Sequence, residues 1–247
     1  MQVNIFRRVG LGFILVTASI TANATANTFH TLYGTNFGTG SSYSTTFLSN
    51  VDADFKANIG NKSGKFSYKP AQGGYQGVGV TNKKGNDKTP GEIDIGESIT
   101  GKFSKGIYIK DISIGLLFDG PEYGDVNEKA KITASLIDGT TRSFTFTATG
   151  TTSAIWTGSG SYTNLSPAIY GLGGAWSISN PFGNNRVSGL SFTAAPGTCG
   201  SAGGKCNNQS DYTLISISAV PEPSTKSMML VGLLGIGFMV RRKNKFN

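Results

Sequence analysis

Few residues in this 247-residue sequence could support catalysis. A Ser-His-Asp triad would have to use His30, the single histidine, and no G-x-S-x-G segment frames a nucleophilic serine. A glycosidase needs two acids placed on either side of a cleft, and no spacing in the sequence selects such a pair. We therefore predict that the protein is not an enzyme.

Acidic residues cluster in a way that suggests a cation ligand set. Four carboxylates lie within the turn-rich segment 119–128, and three more alternate upstream along 92–97. Calcium takes six to eight oxygen ligands from flexible carboxylates and carbonyls, although this segment does not match the EF-hand pattern. A solvated connection is the alternative interpretation. The candidate calcium ligands are Glu92, Asp94, Asp119 and Asp125.

Aromatic residues supply a second candidate site. Trp156 lies in a stretch rich in glycine, serine and threonine, close to Tyr162, and Trp176 follows a second glycine-rich stretch. Such rings could stack on the faces of sugars, although tryptophan and tyrosine also pack into cores and their rims. The candidate glycan-binding residues are Trp156, Trp176 and Tyr162.

The two cysteines favour a disulfide over a metal or redox site. Cys199 and Cys206 bracket a six-residue segment rich in glycine and do not have C-x-x-C spacing. In an exported chain, two cysteines this close are expected to pair. Closing so short a loop would stabilise the domain by about 2–3 kcal/mol.

The elements that would position these residues are short strands. The region between residues 27 and 219 lacks helical periodicity, and β-rich runs alternate there with Gly, Asn, Asp and Pro. Asp138-Gly139 lies between two such runs, 131–137 and 140–147, which predicts a hairpin with a type I′ turn. The segment Gly106–Phe118 is predicted to form one long bent strand or two strands. Further candidate strands are 44–47, 65–68, 76–81, 186–194 and 211–220.

This strand spacing predicts one all-β domain. We expect two packed antiparallel sheets, a β-sandwich of jelly-roll or immunoglobulin-like type. A closed barrel is the alternative. The length between residues 27 and 219 is sufficient for one sizeable core.

The N-terminus has the three parts of a signal peptide. Arg7 and Arg8 precede an apolar run, Val9–Ile20, and Ala24-Thr25-Ala26 forms a small-x-small cleavage site. The apolar run is shorter than the roughly 20 residues that span a bilayer, which argues against a permanent anchor. We predict cleavage by signal peptidase after Ala26, with Ala24 as the alternative site. The arginine pair also leaves the twin-arginine route open.

The C-terminus is tripartite as well. Val220-Pro221-Glu222-Pro223 is followed by the apolar run Met228–Val240 and then by Arg241, Arg242 and Lys243. The apolar run is a marginal transmembrane helix, and the basic end places the C-terminus in the cytoplasm. The predicted organisation is therefore a signal peptide over 1–26, a domain over 27–219 and a tail over 220–247.

This tail resembles the PEP-CTERM sorting signal, whose elements match Val220, Pro221, Glu222, Pro223, Arg241 and Arg242. The resemblance implies a Gram-negative bacterium that makes exopolysaccharide, and an exosortase that cleaves near the motif. The chain would pass through an inner-membrane-anchored intermediate to the cell surface, outer membrane or biofilm matrix. A plain anchor that is never cleaved is the alternative.

The net charge of +8 belongs largely to these two ends. Seven of the 22 basic residues and one of the 14 acids lie in the signal peptide and tail, so the domain between them carries about +2. Its charges are interspersed, which argues against nucleic-acid binding. We expect a structural or adhesive surface protein, or alternatively a carbohydrate-binding module stabilised by Ca²⁺. Exopolysaccharide is the predicted partner.

Overall fold

The computed structural model describes residues 29–48, 50–81, 89–123, 126–166, 174–199 and 210–220, together with residue 233. It describes the backbone alone at 122, 123 and 199. The predicted signal peptide lies outside the described residues, and so does the apolar tail segment apart from residue 233. Within them, no helix has the length and hydropathy needed to cross a membrane.

The described chain is built almost entirely of β-strands, which confirms the all-β prediction. Two short helical turns interrupt it, a 3-10 turn at Gly34–Phe37 and α1 at Gly120–Tyr123. The strands are β1 His30–Tyr33, β2 Ser42–Leu48, β3 Val51–Ile59, β4 Lys62–Ser63, β5 Lys65–Tyr68, β6 Val78–Thr81, β7 Glu97–Gly115, β8 Val126–Leu136, β9 Thr141–Gly150, β10 Ser153–Trp156, β11 Ser161–Asn164, β12 Trp176–Ser179, β13 Val187–Cys199 and β14 Thr213–Val220.

These strands pair antiparallel in two sheets that share β7. Sheet I runs in the order β10-β9-β8-β13-β7-β3-β2, with β4 also on β3. Sheet II runs β11-β12-β7-β14-β6-β5, with β1 also on β14. This arrangement is consistent with the predicted sandwich.

Strand β7 joins the two sheets because its two halves pair with different neighbours. Residues 97–103 pair with β3 in sheet I, whereas 108–115 pair with β14 in sheet II. Strands that pass from one sheet to another form the corners of β-sandwiches. Of the two forms predicted for Gly106–Phe118, the structure therefore has the long strand, and it extends upstream to Glu97.

The core follows from strict alternation along the strands. In β3, Val51, Ala53, Phe55 and Ala57 are buried while the residues between them are exposed. Inward side chains from both sheets form one hydrophobic cluster, in which Trp176, Tyr212 and Phe55 are among the largest fully buried residues. Alternation of this kind is what a sheet with one buried and one wet face requires.

The hairpin predicted at Asp138-Gly139 is present, but its turn is not type I′. Leu136 donates its N–H to the Thr140 carbonyl at 2.8 Å, so the loop contains three residues. Gly139 has φ of +83°, whereas Asp138 is not among the described residues with positive φ. Asp138 instead accepts the N–H and hydroxyl of Thr140 at 2.9 and 2.7 Å. A three-residue loop needs only one left-handed residue, and that residue is the glycine.

Replacing Gly139 with alanine should therefore destabilise the domain through its backbone alone. A Cβ at this position would meet no atom within 4 Å, so only the left-handed conformation opposes it. We expect a loss of about 1 kcal/mol in the free energy of unfolding, measured by urea denaturation. Gly139→Asn, which tolerates positive φ, is the control and should cost less. An alanine variant as stable as the parent would contradict the turn assignment.

The first and last strands of the domain lie side by side. His30 pairs with Ala219 and Thr31 with Ser218, while Val220 pairs with Tyr108 of β7 on the other side of β14. The end of the domain that follows the predicted signal peptide is thus adjacent to the end that precedes the Pro-Glu-Pro segment.

Candidate functional sites

Glu92, the first candidate calcium ligand, is buried where the chain enters β7. Its carboxylate accepts a 2.6 Å bond from Lys69 Nζ. The Glu92 backbone lies directly against β6, because a Cβ on Gly79 would stand only 2.2 Å from it. Burial, aided by the charge of Asp211, raises the pKa of Glu92 to about 8 despite the partly exposed Lys69 ammonium.

Of the other candidate ligands, Asp94 is close enough to Glu92 for their charges to interact, but its oxygens are bonded elsewhere. The Asp94 carboxylate accepts bonds from the hydroxyl and N–H of Thr89 at 2.9 and 3.3 Å, so it organises a turn. Asp119 is buried, and within the described part of the chain its Oδ1 has no hydrogen-bond partner. Asp125 lies outside the described residues. No set of three or more His, Cys, Asp or Glu residues in the described ranges is arranged to hold a metal ion, and calcium binding stays a prediction.

The structure instead gathers three acids that come from distant parts of the sequence. Glu128 keeps part of its surface exposed, but its carboxyl group is enclosed and bonded both to the Phe118 N–H at 2.5 Å and to Asp211. Asp211 in turn accepts the Thr89 hydroxyl at 2.9 Å. Burial, together with the charges of Asp211 and Glu92, raises the pKa of Glu128 well above its usual value. Glu92, Glu128 and Asp211 are called the buried acid cluster below.

Sequence reasoning placed Glu128 in a solvated loop and did not select Asp211. One signal for Glu128 was available, since it occupies an inward position between Val126 and Ala130 in an alternating strand. An acid at such a position must be paired or neutral. Asp211 carries no comparable local signal. The stretch of sequence before residue 210 is long, so the sequence alone does not indicate which strand Asp211 will lie beside.

The three candidate glycan-binding aromatics converge around the Phe146 ring. The centroids of Tyr162, Trp176 and Trp156 lie 5.4, 5.3 and 6.3 Å from it. Trp176 is only 1% exposed and donates its indole N–H to the Leu117 carbonyl at 3.1 Å. Its ring therefore has no face open to a sugar, and it serves the core.

Trp156 and Tyr162 lie at the rim of this aromatic group and are half-buried. The Trp156 indole N–H is bonded to the Ser159 carbonyl at 2.7 Å, and the Tyr162 hydroxyl to the Ala154 carbonyl at 2.6 Å. Both polar atoms are thus engaged within the chain. Only the partly exposed ring surfaces of these two residues could meet a ligand.

Two further residues singled out from the sequence stand apart from any site. His30 is exposed at the start of β1, where it could not be shielded for catalysis. Cys199 ends β13, whereas Cys206 lies outside the described residues. The disulfide between them stays a prediction.

The C-terminal tail is the feature that relates this chain to known proteins. Residues 219–243 match the family model of the PEP-CTERM protein-sorting motif. This match supports an exosortase substrate that carries a PEP-CTERM sorting motif. The match contains every residue predicted for the sorting signal, from Val220 to Arg242. No curated protein and no solved structure is detectably similar to the chain.

The PEP-CTERM match bears on location and on geometry. The signal implies export and membrane-associated processing in a Gram-negative bacterium. It begins at Ala219, which is still inside β14 and paired with Ile109 and His30. The folded sheet therefore extends into the first two residues of the sorting signal, and Pro221 directly follows the last strand residue.

Proposed function

We propose that the mature domain is a structural or adhesive component of the cell surface or exopolysaccharide matrix, released from its tail by an exosortase. The observation that carries this proposal is the sorting motif at 219–243, which begins within the last two residues of the final strand of a single-core β-domain. A structural role requires a stable exported fold rather than a reactive site. The exposure of His30 and the internal hydrogen bonds of Asp94, Trp156 and Tyr162 agree with such a role.

Processing can be tested by intact mass and cell fractionation, with and without the exosortase. In its presence we expect a mature species that lacks residues 1–26 and ends near the Pro-Glu-Pro motif, located at the surface or in the matrix. Without it, the chain should keep residues 224–247 and remain with the inner membrane. Glu222→Ala and Arg241→Ala/Arg242→Ala should resemble the loss of the enzyme.

Lys226→Ala is a suitable control, because it alters a basic residue of the tail outside the predicted motif elements. It should be processed like the parent. A surface-located protein whose mass still includes residues 224–247 would refute cleavage and favour the plain anchor.

Matrix glycan binding, predicted as calcium-stabilised, is the second candidate function. Its support is the half-exposed pair Trp156 and Tyr162 at the rim of the aromatic group, near the edge strand β10. Stacking of a sugar on one ring contributes modestly, so Trp156→Ala should weaken retardation in a polysaccharide gel if this pair forms the site. Trp156→Ala is therefore included among the variants tested for polysaccharide binding by affinity electrophoresis.

A further inference from the structure

The outer face of sheet I carries rows of hydroxyl and ammonium groups that cross several strands. One row follows the pairing register from Ser143 through Thr133, Ser191 and Thr100 to Lys56. None of these five residues is buried. Paired strands lie about 4.8 Å apart, so the row presents polar groups at a regular interval across the sheet.

The next row contains the floor of a groove. It passes from Ser135 through Gly189 to Lys102 and Asp54. Because Gly189 has no side chain, the sheet surface over β13 is recessed at this point relative to the neighbouring strands β8 and β7. The resulting groove has a volume of about 370 Å³, within the range of small-ligand sites. Its polar side chains are those of Thr100, Lys102, Thr133, Ser135, Ser188 and Ser191.

Two hydroxyls and one ammonium in this groove are not engaged by the protein. Within the described part of the chain, the side chains of Ser135, Ser191 and Lys102 have no hydrogen-bond or ion-pair partner. Other outward hydroxyls are paired on both sheets: Thr133 is bonded to Ser143 at 2.8 Å on sheet I, and on sheet II outward hydroxyls bind one another or a carboxylate. The pairs there are Thr31–Ser218 at 2.8 Å, Ser113–Ser177 at 3.4 Å and Ser179–Asp111 at 2.6 Å.

The charge of this face selects the class of ligand. Among the outward residues of β3, β8, β13 and residues 97–103 of β7, four lysines outnumber two aspartates, and no aromatic or large aliphatic side chain is present. Without rings the face cannot stack on bases or on neutral sugars, and without an apolar anchor it lacks a protein hot spot. A hydrophilic polyanion that offers both hydroxyls and carboxylates complements it. The charged residues are Lys56, Lys102, Lys129, Lys131, Asp52 and Asp54.

We propose that the groove along β13 binds an acidic polysaccharide, with Lys102 facing a carboxylate and Ser135 and Ser191 bonded to sugar hydroxyls. This inference rests on the proposed location in the exopolysaccharide matrix, and it names a ligand class and a site there. Each contact is solvent-exposed, so one site binds weakly. Retention in a matrix then depends on many proteins along many chains, and it weakens with salt.

Affinity electrophoresis of the full exported chain, purified in detergent, tests this site directly. Alginate, a polyuronate, serves as the acidic probe and dextran as the neutral one. We expect retardation by alginate but not by dextran, abolished by high salt. Lys102→Glu should weaken the alginate affinity by roughly fivefold or more. Lys65→Glu, the same change on an exposed residue of sheet II, should not.

A second pair of variants tests the groove by shape. Ser191→Tyr places a ring on the groove floor and should also reduce retardation, whereas Ser177→Tyr on the outer face of sheet II should not. Melting temperatures close to that of the parent establish that all four variants are folded. The combined loss in Lys102→Glu and Ser191→Tyr, with both controls unchanged, is the result that supports the site.

Several results would overturn the inference. These are equal retardation by dextran, binding that survives both groove variants, loss of binding in Trp156→Ala alone, or equal affinity for DNA or anionic lipid vesicles. The proposed function fails separately. A purified protein that binds alginate through the groove but is never found at the surface would refute the location and not the groove, and the reverse pattern would refute only the groove.

Discussion

Removal of residues 213–247 is expected to leave the exported domain unfolded, whereas removal of 221–247 alone should change its melting temperature little. The two truncations differ only in β14. This strand lies inside sheet II, with β7 on one side and β1 and β6 on the other. Without β14, the backbone hydrogen bonds that it makes on both sides would be lost together.

The size of the effect follows from what β14 buries. Leu214, Ile217 and Ala219 are fully buried in the core, and each large aliphatic side chain contributes about 1.5–3 kcal/mol. The lost ladder adds to this total. A domain of this size is stable by only about 5–15 kcal/mol, so the longer truncation should exceed that margin. Far-UV circular dichroism and thermal unfolding of both truncations provide the measurement.

Ile217→Asp in the full chain is the matched point variant, since it places one charge in the buried face of β14 and leaves the length unchanged. We expect it to be at least severely destabilised, while Ile215→Asp, at a half-buried position of the same strand, should be milder. Cooperative unfolding of the chain that lacks 213–247 would contradict the central place of β14.

This dependence has a consequence for export. The first strand pairs with the last, and β7 in the middle of the chain needs β14 to complete its pairing in sheet II. In a chain that is exported unfolded rather than by the twin-arginine route, the domain can complete its fold only after residues up to Val220 have crossed the membrane. By then the sorting signal is the next segment to emerge, which places folding and processing close together in time.

The second large effect is a loss of stability as the pH rises. In the folded protein, burial keeps the pKa of Glu92 at about 8, against 4.5 for the free side chain. Between these values the folded state holds a proton that the unfolded state has released. The contribution of Glu92 to the free energy of unfolding is therefore fully present below about pH 4.5. It falls as the pH rises and stops falling near pH 8. At about 1.4 kcal/mol for each pH unit, the difference between the two pKa values corresponds to a decrease of about 5 kcal/mol over this range.

Urea denaturation at pH 5 and pH 8 checks this prediction. Glu92→Gln removes the titrating group at similar volume, so its free energy of unfolding should depend less on pH than that of the parent. Glu128→Gln should act in the same direction, because the pKa of Glu128 is raised by the same burial and by Asp211. Ser44→Ala, at an exposed hydroxyl of β2 in sheet I, should leave the pH dependence unchanged. A parent protein that is equally stable at both pH values would refute the raised pKa values.

Local patterns in the sequence were sufficient for much of the fold. The Asp138-Gly139 hairpin, the strand at 65–68 and the last strand, predicted at 211–220, follow from β-rich runs bounded by turn residues. Of β7, only the part from Gly106 was predicted, as one long strand or as two. The strand Val51–Ile59 was missed although its alternation is clear. Short edge strands such as β4 and β11 were not predicted, because two to four residues are too few to show an alternating pattern.

The candidate sites were less predictable, because they depend on which strands become neighbours. Glu92 and Asp94 are close in sequence, yet Glu92 joins Lys69 and Asp94 joins Thr89. Trp176 was a candidate for stacking on a sugar, but pairing of β12 with β7 buries it almost completely. The groove on sheet I could not be foreseen, since β8, β13 and β7 are separated by long stretches of chain.

The amino-acid sequence by itself determined that this protein carries a sorting signal and that it folds as β-strands. A sorting signal is recognised as a linear segment, and strand formation depends on alternation within a few residues. Both can therefore be predicted from short segments of the sequence. Only the tertiary structure decided what surrounds Glu92, Glu128 and Asp211, and which hydroxyls line a groove. Burial, pKa and surface shape arise from residues that meet across strand pairs, and the register of those pairs is set by packing of the whole core.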